Sequence, residues 1–194
     1  MTALDQEKLQ QALSALGDVL AFRGASAELA VVGGSGLLLL GVVRRATQDV
    51  DVVAVVKHGE LLRAEPLPSV LGQAARDTAL ALDLPEDWLN PGPTELLRFG
   101  LPSGFLERAH VLRFGALILH VASRLDQIHF KLFAAVDQGP RRKHMADLRT
   151  LAPQRHELIQ AARWCSTQDP SQGFDAAMTE TLFHFGIEGG DAER

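Results

Sequence analysis

Apolar residues recur along this chain with two different periods, and the switches between them mark out its elements. From Leu4 to Phe22, Leu9, Leu13, Leu16, Val19 and Leu20 fall at helical spacing and the run closes at Gly24, which predicts a helix packed beside a core. Ala27 to Val32 is a short apolar run ending in Gly33, Gly34, Ser35 and Gly36, after which Leu37 to Val43 can continue as a buried helix. Valines then surround Asp49 and Asp51, a β-branched setting that predicts a strand. Pro66 to Leu82 returns to helical spacing, while Leu84 to Leu106 is rich in Pro and Gly around DWLNPGP and predicts a loop. Val111 to Ala122 suits one or two strands, and Leu125–Val136, Lys143–Leu151 and Pro153–Trp164 suit helices. The pattern divides into an α/β core with an N-terminal helix over 1–122, a helical portion over 123–186 that completes a cleft, and a flexible tail over 187–194.

The two aspartates are the first chemistry in this pattern. Residues two apart on a strand point to one side, so both carboxylates face one spot. Two like charges brought together are unfavourable unless something positive lies between them, and a divalent cation with hard oxygen ligands is the usual solution. Magnesium bound by Asp49 and Asp51 is the expectation. The preceding turn supplies a place for phosphate: a strand, a tight glycine turn and a helix aim backbone N–H groups at an anion. Gly33, Gly34 and Ser35 are the candidate residues, with the Ser35 hydroxyl as a donor to a phosphate oxygen. Each motif alone is bland, since glycine turns are common and an Asp-Val-Asp run also suits a solvated edge strand. Their order and spacing give them weight together.

Composition narrows the classes. At 194 residues with 46% hydrophobic content, the chain has enough apolar material for a proper core. Its apolar runs are too short to cross a bilayer and no cleavage pattern or repeat stands out, so a cytoplasmic protein with no membrane partner is expected. A single cysteine, Cys165, permits no internal disulfide and suits packing. The formal charge of −5 argues against a chain-wide nucleic-acid face. Two basic clusters remain, Arg44–Arg45 and Arg141, Arg142, Lys143 with His144, each near the site motifs and each equally suited to a solvated helix end. The seven histidines show no zinc-binding spacing, and no nucleophile elbow or Walker loop is present.

With Gly34 and Ser35 followed by Asp49, Val50 and Asp51, the chain resembles the nucleotidyltransferase superfamily with a DNA polymerase beta-like core. Arg45 and Thr47, just ahead of the first aspartate, resemble the corresponding run of the minimal nucleotidyltransferases, including bacterial toxin and abortive-infection members. The resemblance covers roughly Ala27 to Leu151 and rests on loose patterns outside the first motif. It implies a mixed central sheet flanked by helices, magnesium as cofactor, an NTP as substrate, and transfer of a nucleoside monophosphate to a hydroxyl. A tRNA end or a protein side chain would be the acceptor, with an antitoxin protein as a possible partner. It further implies that Arg45 and Thr47 help bind nucleotide, that Lys131 contacts its phosphates, and that Asp147, in the run KHMADL, orients that lysine or helps activate the acceptor. DWLNPGP also looks like a segment of nucleotidyltransferases of unknown substrate.

The bland alternatives are a lysine that snorkels and an aspartate that caps a helix. Many relatives place a third acid on a later strand, yet Val111 to Ala122 contains none and offers only His120, itself suited to a core position; Glu107 and Asp126 flank that strand. A catalytically idle nucleotide- or protein-binding module on the same fold is therefore the rival expectation, and an aminoglycoside-type transferase a more distant one. Trp88 is either a base-stacking group or a core anchor.

Overall fold

The computed structural model describes residues 3–139 and 143–187, and the chain divides into two compact units with the boundary between Ser123 and Arg124. The first is a mixed α/β unit. Its helix α1 spans Gln6–Phe22, starts where Asp5 accepts a hydrogen bond from the Lys8 N–H at 2.9 Å, and is followed by Gly24 at φ 64°, an N-cap and a left-handed stop of the expected kinds. The sequence places the start at Leu4, but Leu4 instead exchanges backbone hydrogen bonds with Thr47.

Strands β1 (Ala27–Val32), β2 (Val50–Lys57), β3 (Glu60–Leu62), β4 (Leu89–Asn90), β5 (His110–Phe114) and β6 (Leu117–Val121) form one sheet in the order β3-β2-β1-β6-β5, with β4 also paired to β2. The β1–β6 and β2–β4 pairings are parallel and the others antiparallel. Leu9, Leu13, Leu16 and Leu20 of α1 join Leu29 and Val31 of β1, Val50 and Val52 of β2, and Leu117, Leu119 and Val121 of β6 in one buried cluster. Helix α3 (Ser69–Leu82) adds Leu71, Ala74 and Ala75 to it. Each buried leucine contributes about 1.5–3 kcal/mol, so this face anchors the unit. Because side chains alternate along β2, burying Val50 and Val52 turns Asp51 to the opposite face.

Several boundaries differ from the pattern in the sequence. Helix α2 begins at the glycines themselves, Gly33–Leu39, and the α3 helix starts at Ser69 because Pro66 and Pro68 precede it. The stretch 84–106 is not a plain loop: it holds β4, a 3-10 segment at Gly92–Phe99 and helix α4 (Phe105–Arg108). Trp88 is fully buried and donates its indole N–H to the Ala75 carbonyl at 3.0 Å, so it is a core anchor. Val111–Ala122 resolves into the β5–β6 hairpin, turning at Gly115.

The second unit is helical: α5 (Arg124–Gln138), α6 (Lys143–Thr150), α7 (Arg155–Gln168) and α8 (Gln172–Phe183). The α8 helix has no counterpart in the expectations from sequence; Ser171 caps it by accepting from the Phe174 N–H at 3.3 Å. Trp164 of α7 meets Phe130 and Phe133 of α5 edge-on, with centroids 5.3 and 6.2 Å apart, and Phe133 lies 5.3 Å from Phe174 of α8. Arg124 donates to Glu157 at 2.6 Å and to the carbonyls of Leu151 and Ala152 at 2.9 and 2.8 Å, and its guanidinium holds the Glu157 carboxyl below the usual carboxylate range. Cys165 is fully buried, and that burial pushes its thiol far up. Ile187, assigned from sequence to the tail, is buried at 2% exposure; the remainder of that tail, 188–194, lies outside the described residues. Among the described residues no helix is long and apolar enough to cross a membrane.

The close approach of α1 to the β5–β6 hairpin at Gly17 sets a sharp test. A Cβ added at Gly17 of α1 would fall 1.8 Å from the Phe114 carbonyl oxygen, so helix and hairpin would have to separate. Gly17→Ala is expected to lower stability by about 1–3 kcal/mol or more, despite alanine's better helix propensity. Chemical denaturation measures this, and an unchanged or raised midpoint would contradict the packing.

Candidate functional site

The candidate site is built where β1 ends, β2 begins and β4 runs beside β2. Val50 is the first residue of β2, so Asp49 lies just ahead of the strand rather than within it, and only Asp51 is a strand residue. The two carboxylates nevertheless converge. The Asn90 side-chain amide donates to Asp49 Oδ2 at 3.3 Å and to Asp51 Oδ1 at 3.2 Å. Asn90 is the register partner of Asp51 in the parallel β2–β4 pair, and its own oxygen accepts the Gly92 N–H at 2.9 Å. That last bond fixes which end of the amide points where, so the donor end faces the acids.

The glycine turn meets these acids directly. Asp51 pairs with Val32, the last residue of β1, which brings its carboxylate against the turn. A Cβ at Gly33 would fall 2.1 Å from Asp51 Oδ2, and Gly33 has φ 75°. Glycine is thus required here twice, by backbone conformation and by space. The close approach that this glycine permits is to the Asp51 carboxylate. Gly34 faces the other flank, where an added Cβ would lie 3.3 Å from Thr47 Oγ1 and 3.5 and 3.7 Å from the two terminal nitrogens of Arg45. Thr47 donates its hydroxyl to the Asp49 carbonyl at 3.2 Å and so ties this flank to the start of β2. Arg45 is an exposed residue, so its guanidinium brings positive charge to the turn at the surface.

Ser35 is placed differently from the expectation. It is fully buried and its hydroxyl is directed to the Val32 carbonyl at 3.5 Å, back into the helix start. Gly33 thus borders the Asp51 carboxylate, Gly34 faces Thr47 and Arg45, and the Ser35 side chain faces inward.

Lys131 and Asp147 belong to the helical unit. Their side chains are 3% and 4% exposed, and Nζ lies 2.8 Å from Asp147 Oδ2. The α5 helix is buried continuously from Asp126 to Leu132, so this ion pair sits in surroundings where either charge alone would be costly. His120 is on β6 beside Ala30, with Nε2 3.1 Å from Glu28 Oε2. Asp126 is fully buried on α5, and Glu107 lies on α4. Of the second basic cluster, Arg141 and Arg142 lie outside the described residues, and Lys143 opens α6.

Two carboxylates that converge on one donor form a hard, anionic oxygen set, which fits a divalent cation of the magnesium type. Among the described residues, no group of three or more His, Cys, Asp or Glu side chains is arranged to hold a metal ion, so the pair stands without a third acid. Asn90 is the site residue that sequence reasoning missed. Its signal was the Asn-Pro-Gly run inside DWLNPGP, a turn in which an asparagine oxygen accepts from the backbone two residues on; the strand pairing that sets it beside Asp51 is non-local. No family model, curated protein or solved structure matches the chain.

The buried pair gives a direct prediction. Asp147→Asn removes the carboxylate charge from the buried pair and should destabilise the protein by about 3–5 kcal/mol, whereas the double change Lys131→Met with Asp147→Leu should recover most of that loss. Urea denaturation of the three proteins measures it. Equal losses in single and double variants would show that the pair is not the energetic unit.

Proposed function

We propose that this chain is a nucleotidyltransferase of the DNA polymerase beta-like fold. In this proposal it moves a nucleoside monophosphate from a magnesium-bound NTP to an acceptor hydroxyl and releases pyrophosphate. The observation that carries this proposal is the convergence of the Asp49 and Asp51 carboxylates on one point, with the Asp51 carboxylate against Gly33. The open mixed sheet with flanking helices is compatible with it.

In this reading Asp49 and Asp51 hold the cation, which when bound neutralises phosphate charge and aligns the reacting groups. Arg45 and the backbone at Gly34 bind phosphate oxygens on the flank away from the acids. Thr47 positions Asp49 through its carbonyl. The roles that the resemblance implies for Lys131 and Asp147, a phosphate contact and its helper, belong to this reading; the two are paired with each other within the helical unit. A tRNA end or a protein side chain is the acceptor class implied by the resemblance to toxin-like members, and an antitoxin would then be a partner.

A second reading has its own support. The Ser35 hydroxyl is buried and turned toward the Val32 carbonyl, and the group that bridges the two aspartates is a neutral amide. Both features suit a module that binds nucleotide without turning it over. One experiment separates the two readings. Each of the four NTPs is incubated with the protein, magnesium and either bulk tRNA or whole-cell protein as acceptor, with pyrophosphate release and label transfer as readouts. The transferase reading expects turnover with at least one NTP, reduced about 10²–10³-fold by Asp49→Asn or Asp51→Asn. Magnesium-dependent NTP binding with no pyrophosphate would favour the binding module, and binding that survives both substitutions unchanged would overturn the site.

A further inference from the structure

We propose that the first unit carries a second ligand site, for a small aliphatic carboxylic acid, at the end of the sheet away from the two aspartates. A cavity of about 470 Å³ opens there between the start of β1, the end of β2, the last turn of α1 and the first turn of α3. That volume lies within the range of about 300–1,000 Å³ usual for small-molecule sites. Strand β1 runs from Ala27 at this cavity to Val32 at the glycine turn, so the two sites occupy opposite ends of one strand and this one is independent of the function proposed above.

The lining specifies the two halves of the ligand. Leu20, Ala27, Val55 and Leu71 form apolar walls, and Leu20 and Leu71 belong to the buried cluster behind them. Neither Phe nor Trp takes part, so no aromatic face of that kind is offered to a nucleobase, and the walls match an alkyl chain. The charge at the mouth comes from Lys57. It stands two residues beyond Val55 on β2 and so points to the same side of the sheet. It is exposed, and among the described residues it has no ion-pair partner, although Glu60 is its cross-strand neighbour. The acid along this wall, Glu28, alternates to the other face from Ala27 and Leu29, where its carboxylate meets His120 Nε2 at 3.1 Å. Helix α3 has no side-chain cap and its first turn lines the cavity, so its N-terminal dipole adds to Lys57 in favouring an anion. A carboxylate at Lys57 with its chain along Val55 and Leu71 satisfies both halves, whereas a cation of the same shape finds no counter-charge there.

The test uses octanoate, titrated into the full chain below its micellar range and followed by calorimetry and by ¹³C-methyl nuclear magnetic resonance. Saturable binding of one octanoate per chain is expected, with the largest shifts at Val55, Val70 and Leu71. Octylammonium keeps the chain and reverses the charge, and propionate keeps the charge and shortens the chain; each is expected to bind about tenfold more weakly, or less well still. Lys57→Glu, a change at an exposed position, is expected to weaken octanoate by about tenfold, and thermal unfolding confirms that the variant is folded. Absence of saturable octanoate binding to the native protein, or shifts centred outside this cavity, would overturn the site. Equal affinity for octylammonium or propionate, or native affinity in folded Lys57→Glu, would overturn the assigned ligand class. None of these outcomes bears on Asp49 and Asp51, so failure here is distinct from failure of the proposed function.

Discussion

The contact on which the candidate site depends is the hydrogen-bonded bridge from Asn90 to Asp49 and Asp51. Two carboxylates near one another repel, and without an opposing charge or donor they would turn apart toward solvent. The amide donates to both carboxylates and so offsets part of that repulsion. The surrounding structure serves this arrangement. The β2–β4 pairing sets Asn90 beside Asp51, the Gly92 N–H orients the amide, and Gly33 leaves room for the Asp51 carboxylate where any side chain would collide with it.

The anchoring of that site lies on the other face of the sheet. Val50 and Val52 are buried in the cluster with the α1 leucines, so β2 cannot rotate without exposing them. Between Ala30 and Val31 the β1–β2 register shifts, with Val53 as the extra residue on β2. Such a bulge lets the first part of a strand present its side chains independently of the rest. The end of β2 bearing Asp51 is therefore fixed by its own pairings with Val32 and Asn90. The helical unit solves a separate problem, that of holding an ammonium at 3% exposure, and does so by pairing Lys131 with Asp147 at 2.8 Å.

Much of this was legible in the chain because it is local. Helical spacing predicts α1, α3, α5, α6 and α7 to within a few residues at most ends, and the valine run predicts β2. The Asp-Val-Asp spacing points both acids at one spot, although Asp49 precedes the strand rather than belonging to it. What was not legible depends on distant pairing or on direction. The α2 helix starts at glycines, against their propensity, because the turn requires Gly33 at φ 75° beside Asp51. Ser35 lies one helical step from the turn's open side and points inward. Asn90 is 39 residues from Asp51 in sequence, and only the parallel pairing of a two-residue strand brings it there. The α8 helix was legible in principle, since Phe174, Met178 and Leu182 fall at helical spacing, and it packs through Phe174 against Phe133.

The most direct measurement is nuclear magnetic resonance of the Asn90 side-chain amide during a magnesium titration of the ¹⁵N-labelled full chain. If the ion is seated between Asp49 and Asp51, the Asn90 N–H₂ pair must give up its acceptors and should be among the most strongly shifted signals, with no such change in Asp51→Asn. Magnesium-induced shifts confined to other residues, with the Asn90 signals unmoved, would contradict the account.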